Sequence, residues 1–301
     1  MRAHRSIGFI GAGNIAEALL RGLLTSGVAA PDRCLIANRS SDERLARVAR
    51  SGVRTTRDRA RVMKESDIIV LAVKPQDMPQ ALAEIAPHTR DGQLVISVAA
   101  GVTTELIEGH LGRTPVVRAM PNTGCAVGAS ATALCRGRWA NEQHLAAARL
   151  IFQAVGQVVV VPEPLFDLVT GLSGTGPAYV YLLAEAMVEA GVRAGLSSGA
   201  ARALVTQTVL GAGKMLVESG EEPATLRQHV TSPNGTTMAA MRVLDEAGFY
   251  AAVIRAVERA TQRAGELRRV PGAPSTATPP STEPRARSVR RNQTAAERDP
   301  E

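Results

Sequence analysis

The sequence predicts an α/β fold in which an N-terminal doubly wound sheet is followed by an all-helical domain. Up to about residue 162, short apolar runs alternate with helical patterns, which is typical of parallel strands joined by crossover helices. From Pro162 onward only helical patterns follow. The last stretch is rich in Pro, Ser, Thr and Arg and is expected to be disordered. The predicted domains are therefore residues 1–162, 163–269 and a tail at 270–301.

Short apolar runs, bounded by turn residues or helical patterns, are the predicted strands. They span residues 6–10, 34–37, 67–73, 94–99, 116–120, 131–135 and 157–161. Apolar residues at helical spacing predict helices over 14–27 and 41–52, between the first strands. This regular change from strand to helix predicts a parallel, doubly wound sheet.

Composition argues against several classes of function. The formal charge is +7, but the arginines are scattered and aromatic residues make up only 3% of the chain, so nucleic acid is not an expected partner. The basic cluster at 285–291 falls in the predicted tail. Cys34, Cys125 and Cys135 form no CxxC pattern, which argues against disulfides and a metal site. No apolar run approaches the ~18 residues of a membrane span, so we expect a soluble protein, and the cysteine pattern favours the cytoplasm.

A glycine-rich loop follows the first predicted strand. In "IGFIGAGNIAEAL" the pattern G-x-G-x-x-A stands between a strand and a helix, the context that a Rossmann-type dinucleotide site requires. The glycines allow a tight turn and let a pyrophosphate approach the backbone at the helix N-terminus. A purely structural turn is the alternative. The predicted cofactor-binding residues of the loop are Gly11, Ala12, Gly13, Asn14, Ile15 and Ala16.

The end of the second strand predicts which dinucleotide binds. An NAD-selective site usually has Asp or Glu there to hold the ribose 2′-hydroxyl, whereas this chain has Asn38, Arg39 and Ser40. These groups suit a 2′-phosphate, so NADPH is the predicted cofactor and NADH binds more weakly. The alternative is that Arg39 and Ser40 only cap the following helix.

Two further strand ends, in "LAVKPQ" and "SVAAGV", lie at the predicted carboxyl edge of the sheet, where ligands of open α/β sheets bind. Lys74 is a candidate for a catalytic role, but hydride transfer needs no lysine, so a positioning role or no role is favoured. The residues predicted to border the cofactor here are Ala72, Val73, Lys74, Pro75, Ala99, Ala100 and Gly101.

The helical half has two features that indicate ligand or subunit contacts. In "GLSGTGPAYVY", small residues precede Pro177 at a first-turn position, which fits either close approach of a ligand or partner, or simple capping. The segment 177–192 is apolar on nearly every face, so we expect a second subunit to bury it. A homodimer at least is therefore predicted.

The stretch "TSPNGTT" at 231–237 precedes an amphipathic helix with a stop at Gly248. An uncapped helix start offers free N–H groups and a partial positive charge, which together attract an anion. The alternative is a start capped by Ser232 or Asn234 and without a ligand.

These motifs, together with others in the chain, resemble those of one known protein family. The chain resembles the pyrroline-5-carboxylate reductase family from about Ser6 to Leu267, through "IGFIGAGNIAEAL", "AVKPQ", "SVAAGV", "RAMPNT", "VTGLSGTGPAYVY", "AGLSSGAARALVTQTVLGAGKML" and "TSPNGTTMAAM" in the family's order. The resemblance implies an oxidoreductase that reduces 1-pyrroline-5-carboxylate to L-proline with NADPH, the last step of proline biosynthesis. It also implies a helical dimerisation domain, dimers often assembled into decamers, and an active site completed by a neighbouring subunit.

The same resemblance places the substrate at the helix start. It implies that backbone N–H groups of Gly235, Thr236 and Thr237 hold the substrate carboxylate, and that the Thr237 hydroxyl hydrogen-bonds the ring nitrogen. A small anionic imine needs an anion-binding site and a polar contact at nitrogen, and no strong general base. The helix start at residues 235–237 is the predicted anion-binding site and is called the anion seat below. Thr237 is the predicted catalytic residue.

The chain departs from the family's usual pattern at a few positions. The family usually has "PNTPA" where this chain has Gly124 and Cys125, and a glycine where it has Asn234. Loss of the proline is expected to loosen a loop near the nicotinamide, while Asn234 can adopt left-handed geometry or act as a cap. Arg59 stands where the family commonly has an asparagine, and it could reinforce a contact to the 2′-phosphate.

Two other functions stay open at this point. A β-hydroxyacid dehydrogenase shares the layout, but it places a lysine on the helix that enters the second domain, and residues 173–196 contain none. A non-catalytic NADP-binding sensor is the other alternative, although it would not need Thr237 and the anion seat.

Overall fold

The computed structural model describes residues 5–268, and these belong to one compact unit. Within this range eight strands form one sheet: β1 (Ile7–Ile10), β2 (Cys34–Ala37), β3 (Arg54–Thr56), β4 (Ile68–Leu71), β5 (Leu94–Ser97), β6 (Val116–Met120), β7 (Ser130–Arg136) and β8 (Gly156–Val160). Their order across the sheet is β3-β2-β1-β4-β5-β6-β7-β8. The order reverses between β1 and β4, which creates the switch point at which doubly wound sheets bind ligands.

All the predicted strands are present. The structure also contains β3, which was not predicted, and it reverses the direction of β7 and β8. The sequence prediction missed β3, because its residues are polar and lie partly exposed at the edge of the sheet. The prediction of an all-parallel sheet was wrong at the pair of β6 and β7, which is antiparallel, so β7 and β8 run opposite to the other six strands. The connection over 121–129 is shorter than the crossover of about a dozen residues that a parallel pair requires.

The α-helices of residues 5–268 are α1 (Asn14–Thr25), α2 (Asp42–Ala49), α3 (Arg59–Glu65), α4 (Met78–Ile85), α5 (Thr104–Leu111), α6 (Glu142–Gln153), α7 (Phe166–Val169), α8 (Gly176–Arg193), α9 (Ser198–Glu218), α10 (Pro223–His229), α11 (Thr236–Glu246) and α12 (Phe249–Arg268). The first two confirm the helices predicted over 14–27 and 41–52. None of the described helices is long and apolar enough to cross a membrane.

Two apolar cores cover the two faces of the sheet. Successive residues of a strand point to opposite faces, so Phe9 belongs to one core and Ile10 to the other. Phe152 of α6 packs in the first core, and Met63 of α3 and Ile85 of α4 pack in the second. Strands β1, β2, β4 and β5 are buried at every position, as parallel strands between two helical layers are.

An ion pair between a buried arginine and a partly exposed glutamate joins the sheet to the beginning of the helical region. Nη1 of Arg118, on β6, lies 3.1 Å from Oε1 of Glu163. The same carboxylate accepts the Thr104 backbone N–H at 2.9 Å and the Thr104 hydroxyl at 2.5 Å. The Arg118 guanidinium stacks on the Phe166 ring, 4.6 Å from its centre. A buried charge is tolerated when it is paired and hydrogen-bonded in this way.

The helical region leaves much of its apolar surface exposed. Neither α8 nor α11 contains a buried residue, and α9 buries only Ala201 and Val205. Leu182 is 67% exposed, Leu204 60% and Val217 74%. The segment 177–192 is therefore open to solvent in the single chain, and a patch of this extent marks a surface for protein contact.

Two predictions about domain organisation are not decided by this structure. Residues 5–268 belong to one compact unit, so the division at residue 162 stays a prediction. The disordered tail predicted at 270–301 lies outside the described residues.

Candidate active site

A groove of about 670 Å³ opens at the carboxyl ends of β1, β2, β4 and β5. It lies beside the switch point of the sheet, where a dinucleotide is expected to bind. The structure brings together here all of the predicted cofactor-binding residues except Gly101. Those that line the groove are Gly11, Ala12, Gly13, Asn14, Ile15, Ala16, Asn38, Arg39, Ser40, Ala72, Val73, Lys74, Pro75, Ala99 and Ala100.

The glycine-rich loop needs glycine at its first position for two reasons. Gly11 has a φ of +105°, which residues with a side chain rarely adopt, and a Cβ there would lie 2.5 Å from the carbonyl oxygen of Ala72. Gly13 is the N-cap of α1, and within the described chain no side chain accepts a hydrogen bond at that helix start. The first N–H groups of α1 are therefore free to bind a pyrophosphate.

The end of β2 faces the groove with Asn38, Arg39 and Ser40. The cap of α2 is Ser41, whose hydroxyl accepts the Arg44 N–H at 3.2 Å, so the alternative that Ser40 caps this helix is wrong. The Asn38 side-chain amide donates to the Ser41 carbonyl at 3.1 Å and fixes the turn. The Ser40 hydroxyl lies 3.4 Å from the Asn38 side-chain oxygen and remains at the groove.

Two arginines of the groove share one carboxylate. Nη1 of Arg59 lies 2.9 Å from Oε2 of Glu84, and Arg39 pairs with Oε1 of the same group. Burial raises the pKa of Glu84, but the hydrogen bonds and charges of Arg39 and Arg59 outweigh it and hold the pKa below its usual value. Glu84 is therefore ionised at neutral pH.

Several residues that line the groove carry no motif in the sequence. Arg44 of α2 donates from Nη1 to the Ala12 carbonyl at 2.7 Å and so lies over the glycine-rich loop. Asp77 and Gln80 also face the groove. Arg44 stands three residues after the cap of α2, but the amphipathic pattern alone marks it only as a surface residue. Its contact with the loop depends on how α1 and α2 pack.

The ends of β4 and β5 also line the groove. Lys74 precedes the short turn Pro75–Asp77, and its carbonyl accepts the Asp77 N–H at 2.9 Å. Gly101 lies beyond the groove with a φ of +74°, and a Cβ there would lie 3.7 Å from Cα of Arg268. A contact between Gly101 and the cofactor therefore stays a prediction.

The predicted anion seat is an uncapped helix start. Gly235 is the N-cap of α11, and no side chain in the described chain accepts a hydrogen bond there, so the alternative of a start capped by Ser232 or Asn234 is wrong. Asn234 has a φ of +57°, the left-handed geometry expected of it. The Gly235 N–H donates to the Ser232 carbonyl at 3.1 Å, which leaves the N–H groups of Thr236 and Thr237 to face an anion.

The groove and the anion seat do not share a cavity within one chain. All the residues that line the groove lie between Gly11 and Ala100, whereas the seat begins at Gly235. Thr237 is half-buried on α11, a helix whose neighbouring apolar surface is open. The groove and the helix start, which are predicted to hold the cofactor and the substrate, are thus both formed in the described chain, but the start of α11 does not line the groove.

A loop after β6 links the sheet to the helical region. The Asn122 side-chain amide donates to the Ser173 carbonyl at 3.0 Å, within the π-helical turn Thr170–Gly174. The Asn122 side-chain oxygen accepts the Gly124 N–H at 3.0 Å, a bond that a proline could not donate. A Cβ on Gly124 would lie 2.4 Å from the Ala129 carbonyl. These contacts oppose the loosening expected from the loss of a proline.

The fold and the groove define a dinucleotide-binding oxidoreductase, and comparison with known families agrees. Residues 6–101 match the family model described as "NADP oxidoreductase coenzyme F420-dependent". Residues 163–267 match the model described as "Pyrroline-5-carboxylate reductase dimerisation". The first match contains the glycine-rich loop, and the second contains the uncapped start of α11.

Relatives over the full length define the family. Pyrroline-5-carboxylate reductase 2 of Bacillus subtilis is 42% identical over 266 residues, which are 88% of this chain and 95% of the relative. A solved pyrroline-5-carboxylate reductase from Coxiella burnetii is 40% identical, with a TM-score of 0.82 over 87% of this chain and 98% of that one. The Plasmodium falciparum enzyme, solved with NADP bound, has a TM-score of 0.79 at 28% identity over 88% and 98% of the two chains. The chain belongs to the pyrroline-5-carboxylate reductase family.

Proposed function

We propose that the protein reduces 1-pyrroline-5-carboxylate to L-proline with NADPH, the last step of proline biosynthesis. When bound, NADPH would supply a hydride for the ring carbon of the protonated imine, which would become an amine. One observation carries the proposal: a dinucleotide groove and an uncapped helix start bearing Thr237 occur in the same chain. Membership of the reductase family supports the same reaction.

The groove supports NADPH as the preferred cofactor. The free N–H groups at the start of α1 suit the pyrophosphate, and the absence of a side chain at Gly11 lets the pyrophosphate approach the backbone. Arg39 and Arg59 line the part of the groove at the end of β2, where an NAD-selective site carries an acid. Two guanidinium groups there favour a ribose 2′-phosphate over a 2′-hydroxyl.

The start of α11 supports an anionic imine as the substrate. The N–H groups of Thr236 and Thr237 hold the carboxylate, because the Gly235 N–H already donates to Ser232. The Thr237 hydroxyl orients the ring nitrogen and stabilises its N–H as the amine forms. The side chain would keep the imine in place, and no strong base is needed because the imine nitrogen already carries its proton.

A second copy of the chain completes the site. The exposed apolar faces of α8 and α9 support a homodimer, and the match to a dimerisation domain agrees. In this dimer the helical region of one subunit covers the groove of the other, which brings Thr237 to the cofactor. Dimers assemble further into decamers, as the resemblance to the family implies. Analytical ultracentrifugation of the full chain distinguishes a dimer from a decamer by mass.

The cytoplasm is the proposed location. Cys34, Cys125 and Cys135 are buried as free thiols. Burial raises the pKa of Cys34 to about 11 and that of Cys135 to about 12, so both thiols stay protonated and unreactive at neutral pH. Free, protected thiols are typical of a reducing compartment.

The test is the oxidation of NADPH by the purified full chain, followed by absorbance, with 1-pyrroline-5-carboxylate as substrate. We expect turnover with the imine and none with a 3-hydroxy acid plus NADP, the reaction of a β-hydroxyacid dehydrogenase. The amine product is identified as proline by mass spectrometry. Turnover of the hydroxy acid, or no turnover of either substrate by a protein that binds NADPH, would contradict the proposal.

A further inference from the structure

Glu84 of α4 holds two groove arginines that come from different elements. Arg39 follows β2 and Arg59 begins α3, and each donates from one Nη1 atom to a separate oxygen of Glu84. Each guanidinium has five N–H groups, so most of its donors remain available for a ligand. The side chains are 49% exposed for Arg39, 12% for Arg59 and 33% for Glu84. The charge of Arg59 is thus the least screened of the three.

We propose that Glu84 is a built-in counter-ion that competes with the 2′-phosphate of the cofactor for Arg39 and Arg59, and so limits the preference for NADPH over NADH. This inference rests on the cofactor preference proposed above. The three side chains carry a net charge of +1, from two positive groups and one negative group. A phosphate bound there shares its arginines with a carboxylate that also repels it.

Removing the charge of Glu84 therefore favours ligands that carry a 2′-phosphate. The net charge of the cluster rises from +1 to +2, and both Nη1 atoms lose their charged acceptor. A 2′-hydroxyl in the same place carries no charge, so a ligand that has this group instead of a 2′-phosphate gains little from the change. If Glu84 instead served to hold the arginines in position, its removal would have the opposite effect, because the arginines would lose their orientation.

The chain contains a matched control at the other end of α3. Glu65 also accepts from two arginines, with Arg61 Nε at 2.7 Å and Arg54 Nη1 at 2.7 Å. None of these three residues lines the groove. Glu65→Gln therefore removes the same charge from the same kind of cluster without touching the cofactor site.

The experiment measures binding by isothermal titration calorimetry, with adenosine 2′,5′-bisphosphate and adenosine 5′-monophosphate as probes. The proteins are the full-length wild type, Glu84→Gln, Glu84→Ala and Glu65→Gln. The preference for the bisphosphate is expressed as the Kd of the monophosphate divided by the Kd of the bisphosphate. We expect this ratio to rise about three- to tenfold in both Glu84 variants. Glu65→Gln is expected to keep the wild-type ratio. In the reductase assay, the NADPH-to-NADH ratio of kcat/KM rises in the same Glu84 variants.

The results separate this inference from the cofactor preference on which it rests. A wild type that binds both probes equally contradicts the NADPH preference. A ratio that is unchanged or lower in both Glu84 variants overturns the role of Glu84, whatever the wild type prefers. An equal rise in Glu65→Gln also overturns it, because the effect would then come from overall charge.

Discussion

The sheet region buries its apolar side chains, whereas the helical region leaves many of its apolar side chains exposed. Phe9, Ile36 and Phe152 are fully buried between the sheet and its helices, whereas Leu182 and Leu204 are more than half exposed on α8 and α9. The first region completes its core within one chain, and the second depends on a partner. Stability in the sheet region is thus a property of the chain, while the stability of the helical region is expected to depend on assembly.

The largest effect is expected where the helical region lacks a core of its own. Leu182→Glu combined with Leu204→Glu places two charges on the apolar faces of α8 and α9, and burying unpaired charges costs several kcal/mol. We expect the dimer to dissociate and reductase activity to be lost, because the groove and the anion seat then stay apart. Cofactor binding persists, since the groove is formed within one chain.

Light scattering measures this dissociation, and fluorescence titration measures binding of NADPH. The matched control is Leu182→Met with Leu204→Met, which keeps both faces apolar at similar volume and is expected to remain dimeric. A doubly charged variant that stays a fully active dimer would show that α8 and α9 do not form the interface.

The sheet region is expected to respond through its own core. Phe152→Ala leaves a cavity in the core between the sheet and α6, so the free energy of unfolding falls by about 3–5 kcal/mol. Trp139, the single tryptophan of the chain, lies between β7 and α6 and reports unfolding of this region by fluorescence in urea. Val127→Ala is the control, because Val127 is 81% exposed, and its effect stays within about 0.5 kcal/mol. Equal losses in both variants would contradict the buried core.

A smaller effect tests the link between the two regions at the substrate. Thr237→Ala removes one hydroxyl and leaves the backbone N–H groups of α11 in place. A hydrogen bond to a charged group is worth about 1.5–3 kcal/mol, so kcat/KM for the imine falls roughly ten- to a hundredfold. Thr236→Ala is the control with a near-normal value, since that side chain is exposed. If Thr237→Ala reduced the imine at the wild-type rate, the hydroxyl would have no part in the reaction.

The smallest effect is expected within the groove. Arg39→Asp replaces a half-exposed cation with the acid typical of NAD-selective sites, and the ratio of kcat/KM for NADPH over NADH should fall about tenfold or reverse. Steady-state rates with each cofactor at saturating imine measure this ratio. Arg57→Asp serves as the control, because Arg57 pairs with Asp42 at the surface and does not line the groove. A wild type with equal specificity constants for the two cofactors would remove the basis of the prediction.

Local chemistry explains why much of the site could be predicted from the sequence. The turn at Gly11, the missing acid at Asn38–Ser40 and the free helix start at Thr237 each depend on a few consecutive residues, and the structure places the first two at the groove. The strands with long apolar runs were equally evident. Strand β3 was not, because its three polar residues at the sheet edge carry no apolar pattern.

The sequence by itself thus determined the alternation of strands and helices apart from β3, the glycine-rich turn and the uncapped start of α11, since backbone conformation and capping act over a few residues. Tertiary structure decided the antiparallel pairing of β6 and β7, which depends on a short connection. It also decided the contacts of Arg39 with Glu84 and of Arg118 with Glu163, each between residues 45 positions apart. Charges so far apart in the sequence meet only when helices and strands pack, and no local pattern specifies which of the many arginines and acids become partners.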